Sequence, residues 1–305
     1  KGRVYRIEDK DTGHDLLWRN RIAAPGGANN DLGWWLWIGG IEYTLPGQEH
    51  GFTWALRWDW RILSGSTAAA VTTSVVEPTT GMVETLTFSL APGSISLDTR
   101  VRLHNPSETR TAMFAHWTNV PFVGPNNRLP DSSEFIVPTA SISVEPRWQA
   151  NLGPSKQDWA TSPLRFFANW TNGTRMGDFT SDGFFENSEG LSTSSFFGIF
   201  WRENNSGGIR IFDPNANPGL DTWTYGLEPP DRCVPQNVNI SRCSYAEMWG
   251  GTVKQLEKVK PLAPRDNLTW TEHVAPFRGT GGLAFANEYF CANVEIGGLS
   301  VVIML

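Results

Sequence analysis

A chain of 305 residues is long enough for one large β domain or two ordinary ones. Its net charge of −6, with Lys and Arg scattered and never in a run, excludes the basic surface that nucleic acid requires. No apolar stretch has the length of a bilayer-spanning helix, so neither nucleic acid nor membrane is an expected partner.

The first segment, KGRVYRIEDKDTGHDLLWRN, predicts a hairpin: a strand-like VYRIED, a DTGHD turn and a second apolar patch, LLWRN. Residues 25–60 are the most aromatic part of a chain that holds 15 Trp. Gly33, Gly39 and Gly40 flank WWLWI and permit bulges or close backbone approach beside bulky rings. Trp34, Trp35 and Trp37 are too dense to pack one way, so they are expected to form a sugar-stacking wall, because an indole face suits the apolar face of a pyranose. PGQEHGF sets Glu49 and His50 on a turn among these rings. ALRWDW alternates Leu56, Trp58 and Trp60 with Arg57, Asp59 and Arg61, the pattern of a half-buried strand.

Between residues 66 and 120 the segments TAAAVTTSVVEP, GMVETLTFSLAP, SISLDTRVRLHNPS and TAMFAHWTNVPF read as consecutive antiparallel strands, with turn signals about every ten residues. No amphipathic helix of convincing length occurs, so the class is all-β. Residues 121–190 are rich in Pro, Asn and Asp and predict a loop-rich insertion in a single domain spanning 1–305. Strands resume in SSFFGIFWRE and in GIRIFDPNANPGLDTWTYG.

Cys233 and Cys243 bracket a polar loop of a length that suits a stapling disulfide, leaving Cys291 over. Asn169, Asn172, Asn204, Asn239 and Asn267 head N-glycosylation sequons, and Asn239 falls inside the Cys233–Cys243 loop. Together they lead to the expectation of a secreted glycoprotein; the chain is also expected to be a monomer. No Cys or His spacing suits zinc. Asp213 and Asp221 are the carboxylates a calcium ion would use first, but no metal or cofactor is expected.

The stretch Ser244–Phe277, SYAEMWGGTVKQLEKVKPLAPRDNLTWTEHVAPF, reads as strand, polar turn, strand. Alternation puts Leu268, Trp270, Glu272 and Val274 on one face and Thr269, Thr271 and His273 on the other. Glu247 lies between Tyr245 and Trp249. A carboxylate in an aromatic wall is either a desolvated functional group or one pinned by a buried partner. His116, mid-strand among apolar neighbours, is open to two readings as well, a satisfied core histidine or an acid.

Three stretches resemble the galactose mutarotase-like supersandwich proteins, and among them the DUF5107 branch. SISLDTRVRLHNPSETRTAMFAHWTNVPF resembles the passage that leads to a proton-donating His, which implies that role for His116. FDPNANPGLDTWTYG resembles the segment ending in a ligand-facing aromatic and Gly, which implies that Trp223 and Tyr225 face the ligand. The Ser244–Phe277 stretch resembles the segment of the catalytic base with its closing turn and strand, which implies that role for Glu247. Trp249 stands where the resemblance calls for Gln, a departure that points away from a simple aldose 1-epimerase.

The expected function is therefore a secreted carbohydrate-active enzyme working on an oligo- or polysaccharide in a Trp-lined cleft by His/Glu acid–base chemistry, as a glycoside hydrolase, lyase or epimerase-type enzyme. His116 and Glu247 are the first catalytic candidates and Glu272 and His273 the second. Glu272, Glu49 and Asp221 are the carboxylates available for glycosidic cleavage. Trp34, Trp35, Trp37, His50, Trp223, Tyr225 and Trp249 are the candidate substrate-binding residues. The alternative is a non-catalytic, lectin-like sandwich.

Overall fold

The computed structural model describes residues 2–27, 32–47, 49–65, 69–130, 133–137, 143–144, 183–186, 195–224, 245–256, 258–295 and 300–304. All strand pairings among them are antiparallel, and none of these residues is in an α-helix. An eight-stranded sheet runs, in spatial order, through Ser133–Ile136, Phe196–Trp201, Ser206–Phe212, Asn267–Arg278, Leu97–His104, Val83–Leu90, Ala69–Val76 and Asp59–Ser64. A six-stranded sheet runs through Ser143–Val144, Gly183–Glu186, Gly219–Thr224, Ala246–Gly251, Trp117–Phe122 and Glu42–Thr44.

Period-two patterning determines how these sheets meet. In Leu97–His104, Thr99, Val101 and Leu103 are buried while Arg100 and Arg102 are exposed. In Val83–Leu90 the buried pair is Glu84 and Leu86. These inward side chains meet Val120, Phe122, Leu220, Ala246 and Met248 of the smaller sheet in one continuous core. Burial of each large apolar side chain there contributes roughly 1.5–3 kcal/mol relative to exposure. Alternation along Asn267–Arg278 is as the sequence predicts, with Trp270, Glu272 and Val274 buried and Thr269 and Thr271 exposed.

Three local expectations are corrected. Ser244–Phe277 is not one hairpin: Ala246–Gly251 pairs with Gly219–Thr224 and Trp117–Phe122 in one sheet, and Asn267–Arg278 pairs with Ser206–Phe212 and Leu97–His104 in the other. Between them Lys260–Leu262 pairs with Ala112–Phe114, so the chain crosses from one layer to the other where the sequence predicts a polar turn. TAMFAHWTNVPF likewise does not continue the meander. It divides into Ala112–Phe114 and Trp117–Phe122, and the latter lies in the smaller sheet. In ALRWDW, Trp58 is buried but Trp60 is 69% exposed, because the strand there is the last of the large sheet. Cys233, Cys243, Tyr225, Asn169, Asn172, Asn239 and most of 121–190 lie outside the described residues.

Candidate functional site

The acidic and basic side chains divide between the two faces of the smaller sheet. Toward the large sheet, Thr118 on Trp117–Phe122 donates to Glu272 Oε1 at 2.9 Å, so His116, two residues earlier, faces the interior between the layers. Its Nε2 is 3.0 Å from Glu84 Oε1, both side chains are fully buried, and its ring meets Trp270 edge-on at 5.1 Å. Glu272 is gripped by Arg210, with Nη2 at 2.8 Å from Oε1 and Nε at 3.0 Å from Oε2, and also accepts from the Trp270 indole at 2.7 Å. Burial alone would raise the Glu272 carboxyl, but Arg210 and these donors hold it below its ordinary range. The guanidinium lies over the Phe197 and Phe212 rings and against Gly250, where a Cβ would collide with it. His116, Glu84, Glu272 and Arg210 thus form a polar seam inside the sandwich.

Glu247 is on the opposite face. Residues directly across a ladder share a face, and Glu247 lies opposite Trp223 and Pro121, Trp249 opposite Asp221 and Asn119, and Asn119 opposite Glu42. The outer face of the smaller sheet therefore carries Glu42, Asn119, Asp221, Trp223, Glu247 and Trp249. Parity keeps His116 and Glu247 apart: the sheet itself separates the two residues expected to act together.

The hairpin of Arg19–Gly27 and Trp34–Gly39 brings Trp18, Trp35 and Trp37 over this outer face, where they cluster with Trp54, Val123 and Tyr245. Glu247 Oε2 accepts from Trp249 Nε1 at 2.8 Å and Oε1 from the Tyr245 hydroxyl at 3.2 Å. Tyr245 in turn accepts from Trp37 Nε1 at 3.0 Å and stacks on Trp18 at 4.3 Å. His50 stacks flat on Trp35, centroids 4.0 Å apart, and meets Trp249 edge-on at 5.2 Å. Its Nδ1 is 2.9 Å from Glu42 Oε2, and Arg3 holds Glu42 Oε1 at 3.0 Å.

Glu247 and His50, which both contact Trp249, are shifted in ways suited to proton transfer. Burial pushes the Glu247 carboxyl up to about 7, against the pull of His50 and the Trp249 N–H, while Glu42 and Glu49 add to the rise. Burial lowers His50, but Glu42, with its direct hydrogen bond, outweighs this and leaves the imidazole above its ordinary value. Glu42 itself is lowered because Arg3 and His50 outweigh its burial. His50 also has a φ of 61°, in the left-handed region that a non-glycine side chain occupies at a cost of about 1 kcal/mol or more. The Glu42 contact and the Trp35 stack hold it there.

Of the other candidates, Trp34 is 42% exposed at the rim and meets Trp54 edge-on at 4.9 Å. Trp223 is half-buried and reaches Tyr245 at 6.4 Å. Glu49 is partly exposed, with Oε1 3.7 Å from His50 Nε2. His273 lies away from the site, pairing with Asp98 at 2.7 Å on the far face of the large sheet. Glu42, Arg3 and Trp18 escaped the sequence reading. Glu42 offered the signal that flagged Glu247, a carboxylate inside an apolar strand, in GIEYTL. Among the described residues no group of three His, Cys, Asp or Glu is arranged to hold a metal ion. Cavities of about 550 Å³, beside His14, Asp15 and Arg19, and about 1080 Å³, beside Ile62, Val71 and Phe88, do not reach Glu247. A desolvated carboxyl beside an imidazole is the stronger marker of chemistry than volume.

No protein-family model matches the chain, and no curated protein matches it by sequence. Solved structures do. A TPR-domain containing protein from Parabacteroides distasonis superposes with a TM-score of 0.69 at 18% identity, over 98% of this chain and 46% of that one. The chain thus spans about half the length of that protein. A putative aldose 1-epimerase from Klebsiella pneumoniae gives 0.54 at 12% identity, covering 87% of this chain and 64% of that one. A galactose mutarotase related enzyme from Lactobacillus acidophilus gives 0.53 at 11%, covering 90% of each. At such identities the likeness speaks for the fold: an antiparallel β-supersandwich of the galactose mutarotase-like type.

Proposed function

We propose that this chain is a carbohydrate-active enzyme whose proton transfer centres on Glu247, with His50 in the role expected of His116. The observation that carries this reading is Glu247 itself: a buried carboxyl near pH 7, held by two aromatic donors and beside an imidazole shifted the other way from desolvation. A general acid or base works best when its pKa is near the operating pH. At neutral pH Glu247 exists as both carboxyl and carboxylate, so it takes a proton from a sugar hydroxyl or gives one to a ring or glycosidic oxygen. His50, whose cationic form Glu42 favours against the effect of burial, stabilises negative charge that develops on the substrate. Trp34 and Trp223, the more accessible rings, offer faces for the sugar.

Glu49 and Asp221 supply the second carboxylate that glycosidic cleavage needs. Secretion and the DUF5107 affiliation belong to the same proposal. Asn204 and Asn267, both exposed, are compatible with glycosylation in the secretory pathway. A lectin-like reading is favoured by one observation, the burial of Glu247 to 5% exposure. A glycan panel read by reducing-end release, by absorbance of unsaturated uronates and by anomer exchange separates them. The wild-type protein is expected to turn over one class, and Glu247→Gln to bind it without turnover. Equal binding by both proteins with no turnover of any glycan supports the lectin-like reading instead.

A further inference from the structure

The strand Asp59–Ser64 ends the eight-stranded sheet and, among the described residues, is paired on one side only, with Ala69–Val76. Its other side presents a row of backbone N–H and C=O groups, a template for another strand. DWRILS has no Pro and no Lys and its pairing runs through six residues without a bulge, so its two charges, Asp59 and Arg61, are what guards this edge. Residues 59–63 are all exposed, Trp60 and Ile62 each at 69%.

Trp60 lies opposite Thr73, itself opposite Leu86, and Ile62 lies opposite Val71, itself opposite Phe88. Trp60 and Ile62 therefore extend the row that forms the sandwich core, and at this edge the core's apolar face continues into solvent. A surface of this kind signals a partner. The charges on the opposite face say which one. Asp59 and Arg61 flank Trp60, and neither has an ion-pair partner among the described residues. In antiparallel pairing of this strand with itself about Trp60, Asp59 faces Arg61 of the second copy and Arg61 faces its Asp59. Trp60 then meets Trp60, and Ile62 faces Trp58 of the second copy just beyond the strand's first residue, an apolar cross-strand set. Centring one residue later sets Arg61 against Arg61, and an odd register shift turns the apolar row to the wrong face.

We propose that Asp59–Ser64 is a homodimerisation edge, joining two copies across a two-fold axis at Trp60 into one continuous sheet. The inference is independent of the catalytic reading. Sedimentation across a concentration series of this chain tests it. The wild-type protein is expected to approach twice the monomer mass, and Asp59→Arg, which sets like charges opposite each other twice, to stay monomeric. The double variant Asp59→Arg with Arg61→Asp restores both ion pairs with the signs exchanged and is expected to dimerise again. A wild-type protein that stays monomeric at its highest soluble concentration overturns the proposal. So does a dimer indifferent to Asp59→Arg, or a double variant no better than the single.

Discussion

Two buried sets of His, Glu and Trp lie on opposite faces of the same sheet, and they show how environment assigns roles to identical side chains. In the seam between the layers, Glu272 has a full guanidinium, an indole N–H and a hydroxyl aimed at it, and is held ionised. On the outer face, Glu247 also has two donors but, among the described residues, no guanidinium, and burial prevails. A Glu with a dedicated cation is a structural tie. A Glu without one is poised to exchange a proton.

The widest separation between the regions is expected in stability. Arg210→Met leaves the Glu272 carboxylate buried without its cation and should cost about 3–5 kcal/mol in urea denaturation. Adding Glu272→Leu should recover most of that loss, since an apolar pair of similar volume replaces the ion pair. A single-variant cost below about 1 kcal/mol would mean that the seam is not what holds the layers in register.

Glu247 should behave in the opposite sense. Its folded pKa is above the unfolded value, so the folded state binds the extra proton and stability falls as pH rises between them. A carboxyl moved from 4.5 to about 7 corresponds to about 3 kcal/mol of stability lost across that window. Glu247→Gln should remove the dependence, being close to wild type at pH 4 and more stable above pH 7. Parallel stability curves for the two proteins across pH 4–8 would sink the assignment. His50, raised in the folded state, adds stability that is full below its unfolded value and fades as pH climbs through the folded one.

Period-two alternation made the strands legible, down to the inward turn of Glu272 and the outward turn of Thr271. It also carried enough information to place Glu247 in an aromatic wall. What it lacked was layer membership. Ala246–Gly251 and Asn267–Arg278 look like a hairpin because sequence shows spacing and not the crossing through Lys260–Leu262. The family resemblance is what pairs His116 with Glu247, and alternation within single strands cannot test that pairing. Their side chains point to opposite sides of the sheet, and only the ladder that sets Glu247 against Pro121 makes that parity visible. His50 was noticed on its turn but not as an acid, because its partner Glu42 and the Trp35 stack come together only after folding.

His50→Asn sharpens the outer-face half of the comparison. Asn tolerates a φ of 61° better than most residues, so the turn is expected to persist while the cation is lost. Without that charge the Glu247 pKa should rise further, moving the ionisation seen in the pH–rate profile to higher pH. Turnover should fall on the order of 100-fold at neutral pH. An unshifted profile would remove His50 from the proton chemistry.

The smallest effect, and the most local, is expected from Trp249→Phe. The indole N–H donates to Glu247 Oε2 at 2.8 Å and favours the charged form, so deleting it raises the carboxyl pKa. The donor matters only when the carboxylate is there to accept it strongly. The stability cost of the substitution should therefore be small at pH 5, where Glu247 is protonated, and larger by about 1 kcal/mol at pH 9. A cost independent of pH would mean that the indole acts at this position through packing alone. Trp270→Phe, whose N–H serves the ionised Glu272 in the seam, should show no such difference over the same interval, because that carboxylate stays charged throughout.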